Sequence, residues 1–174
     1  MGFVTDEVRK FIGMKSDQVS AADPVSSEAV RRFVQATMDE DPIHWDPAVA
    51  GRTRFGRVFA PMLFPIHAFR RRSGTPDPLS AAADDPDWDG TPKNADRGLP
   101  PPPLGLPRHL NGGSEVEFFA LAHVGDELTF DVEYVDILEK EGRSGPMAIV
   151  LQDATYRNQD GQVLLRLRRN EIHR

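Results

Sequence analysis

Apolar residues recur at steps of three and four near the start of the chain. Phe3, Val4, Val8, Phe11 and Ile12 are interleaved with Asp6, Glu7, Arg9 and Lys10, which predicts a short amphipathic helix stopped near Gly13. Residues 15–24 are polar, with a short strand expected at 18–20. Ser26 or Ser27 then offers a helix N-cap, with Glu28 in the first turn where the helix dipole favours an anion. Val30, Phe33, Val34 and Thr37 fall at i, i+3, i+4 and i+7 and give that helix one buried face. Pro42 is expected to end it, because a residue before proline avoids the α region. Asp46 can cap a further turn over 47–50, closed by Gly51. From Pro61 the pattern changes. Met62, Leu63, Phe64, Ile66, Ala68 and Phe69 are apolar on nearly every side, which predicts a buried helix with Pro61 in its first turn and a kink or late start at Pro65.

Residues 73–107 break this periodicity. Nine of the 15 prolines lie there, including Pro100, Pro101, Pro102 and Pro103, so the segment cannot build a core of its own. It is expected to lie over the surface as an insertion anchored by Trp88, Leu99, Leu104 and Leu106. The last third switches to a period of two. Residues 114–119 form one candidate strand, and Leu128, Phe130, Val132 and Tyr134 alternate with polar residues in a second. Residues 147–156 start apolar on both parities and are expected in the middle of the sheet. Asp160-Gly161 marks a hairpin before a last strand through Val163, Leu165 and Leu167. The order of elements implies an α+β fold with an antiparallel meander.

Composition narrows the partners. Charge is 21 − 27 = −6, which disfavours nucleic acid or an anionic membrane as the main partner. There is no cysteine, so disulfides, thiolate metal sites and a cysteine nucleophile are all excluded. No apolar run approaches the roughly 20 residues of a membrane span, and the N-terminal residues lack the long apolar stretch of a secretory signal. A cytoplasmic location is the expectation.

The polar corner between the two apolar elements carries the candidate chemistry. It holds Asp39, Asp41 and His44. On a regular helix, side chains five residues apart point about 140° away from each other. Asp39 and His44 therefore converge only if the helix ends between them. An Asp and a His so placed can hold one water and move its protons. Asp41 either raises the pKa of Asp39 by like-charge repulsion or caps the turn. His67 is expected to be a buried, hydrogen-bonded core residue, and His109, His123 and His173 to be surface residues. Arg52, Arg54 and Arg57 form an exposed basic stretch. These three, or Arg108, are candidates to meet phosphates of a substrate.

Asp39-Glu-Asp-Pro-Ile-His44-Trp-Asp46-Pro resembles the hydratase motif Asp-x-Asn-Pro-x-His-x-Asp of the MaoC-like family, with Asp41 in place of the asparagine. Residues 55–63, Phe-Gly-Arg-Val-Phe-Ala-Pro-Met-Leu, are similar to the start of that family's central helix in its N-terminal, fatty-synthase-type dehydratase branch. Gly125-Asp126, residues 139–145 and residues 158–161 agree with the same branch, so the likeness covers about residues 5–172. It implies one hotdog domain over 1–174, an antiparallel sheet wrapped around a central apolar helix, with the Pro-rich insertion at 73–107. It implies hydration of 2-enoyl thioesters of coenzyme A or acyl carrier protein, or the reverse dehydration of 3-hydroxyacyl thioesters, with Asp39 and His44 as the catalytic pair and no cofactor or metal. Substrate-side candidates are Met62 and Leu63, whose backbone N–H groups lie where the family stabilises the oxyanion, together with Asp41 and Arg57. The family also implies a homodimer or a heteromer with another hotdog subunit. The alternatives are a non-catalytic subunit of a heteromeric dehydratase and a hotdog acyl thioesterase.

Overall fold

The computed structural model describes residues 2–70, 72–75, 80, 84, 86, 98–142 and 145–174. Trp88 lies outside the described residues. Helix α1 covers Asp6–Arg9, with Thr5 accepting from the Val8 N–H at its start. Gly13, in the left-handed region at φ 85°, turns the chain out of it. Strand β1 is Val19–Ser20. Helix α2 covers Ser27–Thr37, and its N-cap Ser26 accepts from the Ala29 N–H. A 3-10 turn at Pro42–His44, α3 at Pro47–Ala50 and α4 at Phe64–His67 follow. The long strands are β2 (His109–Phe118), β3 (Thr129–Gly142), β4 (Gly145–Arg157) and β5 (Val163–His173).

The five strands form one antiparallel sheet in the order β1-β3-β4-β5-β2. Strands β3, β4 and β5 are the expected meander, and β4 is central. Cross-strand register places Phe130, Tyr156 and Leu165 in one row, and Val132, Ala154, Leu167 and Val116 in the next. These rows form the buried face. Phe69 closes over it, edge-on to Phe130 with ring centroids 4.6 Å apart and 5.7 Å from Tyr156. Val8, Leu99 and Leu104 bury against the same face, and Leu106 packs beside them. The opposite face carries ion pairs instead. Arg168 makes a two-pronged contact with Asp153, Arg157 pairs with Asp131, and Arg166 pairs with Glu117. A second cluster joins Val30 and Val34 of α2 to Ala60, Phe64, Ala122, Leu128 and Leu164. It pins α2 to the segment from which α4 starts. Among the described residues, no helix is long and apolar enough to cross a membrane.

Three expectations need correction. The apolar helix is one turn long, not a run from Pro61 to Phe69. The late start expected at Pro65 is what occurs, since proline fits only a first turn, and an Arg70 N–H to Ala68 C=O contact closes the chain off after it. His67 is exposed, 5.3 Å from the Phe33 ring, because a single turn leaves it facing outward. His173 is buried, not on the surface, because it falls on the inward parity of β5 between its register partners Ala148 and His109. Its ring lies 4.2 Å from that of His109, and its Nε2 lies 3.6 Å from the Glu171 carboxylate.

The His173 imidazole is the main cause that holds the Glu171 carboxyl below the ordinary carboxylate range. Burial opposes it, and Arg169 and His109 add to it. The folded value is thus below the unfolded one. Glu171 contributes stability that is present above the unfolded value of about 4.3 and is lost as pH falls through the folded value. Denaturant titrations of Glu171→Gln are therefore expected to show a shallower loss of stability below about pH 4.3 than the unaltered chain. Parallel curves through that window would remove Glu171 from the acid response.

Candidate active site

Aspartates fold the corner. Helix α2 ends at Thr37, and Met38 follows in the left-handed region at φ 55°. The Asp39 N–H returns to the Val34 carbonyl at 3.0 Å, a helix-ending pattern. The stop is thus made by Met38, four residues before Pro42, and Pro42 instead opens the next turn. Asp39 Oδ1 accepts from the Asp41 N–H, and Asp41 Oδ1 accepts from the Ile43 N–H at the head of the 3-10 turn. Asp46 accepts from Ala48 and Val49 and caps α3. Each carboxylate fixes the few residues after it, which is the local preference of aspartate at turns.

This turn carries His44 inward until it is 7% exposed. Its Nδ1 lies 2.8 Å from the Phe59 carbonyl oxygen. A carbonyl can only accept, so Nδ1 carries the proton. In the neutral ring, Nε2 then presents its lone pair, and it faces Asp39 Oδ2 at 3.5 Å. The Phe59 ring packs edge-on to the imidazole at 4.9 Å and blocks its rotation. Phe59 is itself held in place. It bridges to His123, the next N–H, of Ala60, donates to Ala122, and His123 Nδ1 donates to the Val58 carbonyl.

Asp39 and His44 stand in the wall of a cavity of about 960 Å³. Phe33, Phe55, Phe59, Phe118 and Phe119 make up much of its apolar surface. Met62 and Leu63 line it as well, half-exposed, and no acceptor for their N–H groups is found among the described residues. The other two substrate-side candidates lie elsewhere. Asp41 is exposed and serves as a cap. Arg57 lines an adjoining polar pocket of about 430 Å³ with His123, Asp126 and the 158–162 hairpin. Arg54 is the arginine in the main cavity, lying over the Phe55 ring at 4.8 Å. Arg52 is exposed, and Arg108 pairs through its backbone with Arg174. Phe118 and Phe119 were not singled out in the sequence, although two adjacent exposed phenylalanines ending a polar strand are a usable signal. Among the described residues, no three His, Asp or Glu side chains converge as a metal site requires.

A family model, described as FAS1-like, dehydratase domain region, matches residues 10–167. The chain belongs to that family. No curated protein sequence matches it. Among solved structures, the ChsH1–ChsH2 complex from Mycobacterium tuberculosis is similar, with TM-score 0.68 and 16% identity over 95% of this chain and 86% of that one. The MaoC-like dehydratase from Rhodospirillum rubrum has TM-score 0.59 and 20% identity, covering 93% and 91%. The (R)-hydratase from A. caviae involved in PHA biosynthesis has TM-score 0.59 and 19% identity, covering 92% and 94%. At these identities the structures establish a shared fold, the hotdog of the MaoC-like proteins. Membership of the FAS1-like dehydratase region thus agrees with the likeness carried by residues 39–47.

The role of Asp41 can be checked by stability. Asp41→Ala is expected to cost about 1 kcal/mol, the usual worth of such a cap, while Asp41→Asn, which keeps an accepting oxygen, stays within a few tenths of wild type. Equal losses in both variants, measured by denaturant unfolding, would show that the negative charge and not the cap matters.

Proposed function

We propose that the chain catalyses the reversible hydration of 2-enoyl thioesters, with Asp39 and His44 sharing one water. The observation that carries this reading is the placement of His44, whose Nδ1 lies 2.8 Å from the Phe59 carbonyl oxygen and whose Nε2 lies 3.5 Å from Asp39 Oδ2 on the wall of an apolar cavity. A water that donates one O–H to each at about 2.8 Å holds its acceptors roughly 4.4 Å apart, so the pair opens by about 1 Å as the water enters. Its remaining lone pairs are then free to attack. As the oxygen bonds to C3, one water proton passes to the pair. The pair returns one proton to C2 and ends in the protonation state in which it began. The family likeness assigns the base role toward water to Asp39 and the positioning and second proton transfer to His44. Charge develops on the thioester oxygen during attack. The Met62 N–H and the Leu63 N–H, from residues that line the cavity, are the candidates to stabilise it, whereas Pro61 has no N–H to offer.

Association with a second hotdog chain, a copy or a different subunit, is part of this reading. Strand β2 is an edge of the sheet, and its last residue Phe118 and the following Phe119 are exposed at the cavity. One structural neighbour is a complex of two different chains. The purely non-catalytic subunit is disfavoured by the burial and anchoring of His44.

Asp39→Asn and His44→Gln are each expected to lower kcat on 2-enoyl-CoA by about 10²–10⁴-fold, the usual span for a positioned acid or base, without changing the circular dichroism spectrum. Undiminished hydration in both variants rules out the pair. Release of free thiol without hydration identifies a thioesterase instead.

A further inference from the structure

We infer that the cavity takes a long hydrocarbon acyl group in preference to a four-carbon one. This rests on the hydratase reading above and specifies its substrate. The polar side chains lining the cavity are Thr37, Asp39, His44 and Arg54. Asp39 and His44 are committed to the reacting carbons. The Thr37 hydroxyl donates to the Phe33 carbonyl at 3.0 Å. Arg54 is exposed and lies across the Phe55 ring, where it suits the charged arm of the thioester and not the acyl tail. Among the described residues, no lining side chain is left with a free donor for a polar group on the acyl chain.

Size points the same way. A cavity of about 960 Å³ is at the upper end of the roughly 300–1,000 Å³ usual for small-molecule sites. A four-carbon acyl group leaves most of it to water. Its apolar walls are exposed when empty: Met62 by 50%, Leu63 by 44%, Phe118 by 41% and Phe119 by 55%. Exposed aromatic surface of this kind gains from each methylene placed against it, by up to about fourfold in affinity per methylene fully buried.

The test uses saturated thioesters, which bind without reacting. Butyryl-, octanoyl- and decanoyl-CoA are titrated calorimetrically into the full chain, with crotonyl- and 2-decenoyl-CoA turnover measured alongside. Octanoyl-CoA is expected to bind at least about tenfold tighter than butyryl-CoA, allowing for partial burial of four added methylenes. Phe119→Ser is expected to reduce that ratio. Equal binding across the series overturns the inference, as does a thioester carrying a terminal carboxylate that binds as well as its hydrocarbon analogue. Turnover that favours crotonyl-CoA also overturns it while leaving the hydratase reading intact. A binding gradient without any turnover does the opposite.

Discussion

The hydrogen bond from His44 Nδ1 to the Phe59 carbonyl ties the polar corner to the apolar body of the chain. It joins residues 15 positions apart and settles three things together: the depth of the imidazole, its tautomer, and the direction of its free nitrogen. A buried hydrogen bond of this kind contributes only about 1 kcal/mol net. Leaving either group unpaired costs more, because both have been withdrawn from water. The Val58–Ala60 stretch is in turn fixed by Ala122 and His123, so two imidazoles donate to consecutive carbonyls of one segment. The corner is thus suspended from a strand-like bridge that the second apolar cluster holds still.

The sheet supplies the rigid reference for this arrangement. Its buried face is filled by Tyr134, Tyr156, Leu165 and their neighbours, and Phe69 locks the α4 segment onto it. The other face is laced with paired charges, which resists burial against another sheet. Strand β2 forms one edge of the sheet, and the apolar residues Phe118, Phe119, Met62 and Leu63 at the cavity are exposed. Phe118 ends β2 and Phe119 follows it, so the same two residues stand at the sheet edge and at the cavity.

Much of this was legible in the sequence because local rules and tertiary structure agreed. Ser26, Gly13, Asp46 and Asp160-Gly161 act at their own positions, and the period-two strands needed only their neighbours. The convergence of Asp39 and His44 was also readable, though its device was not. Methionine carries no signal for a left-handed cap, yet Met38 adopts one with its side chain in solvent. The length of α4 was hidden because apolar composition looks the same in a helix and in an irregular buried segment. His67 and His173 exchanged their expected environments for a related reason. One depended on how far a helix continues and the other on how far a strand pairs, and neither is set by the residue itself. The Phe59 carbonyl was invisible because a backbone acceptor has no sequence signature. Arg54 and Arg57, three residues apart, enter different pockets through the path of a short irregular loop.

The proposed chemistry requires His44 to present an unprotonated Nε2 to Asp39. Nitrogen-15 NMR of histidine-labelled protein, read at a pH above the ordinary imidazole range, observes this directly. The prediction is that His44 is the Nδ1–H tautomer, with Nε2 resonating as an unprotonated acceptor that shifts when Asp39 is replaced by Asn. A His44 found as the Nε2–H tautomer would contradict the account, because a ring that donates toward Asp39 cannot share a water with it in the way described.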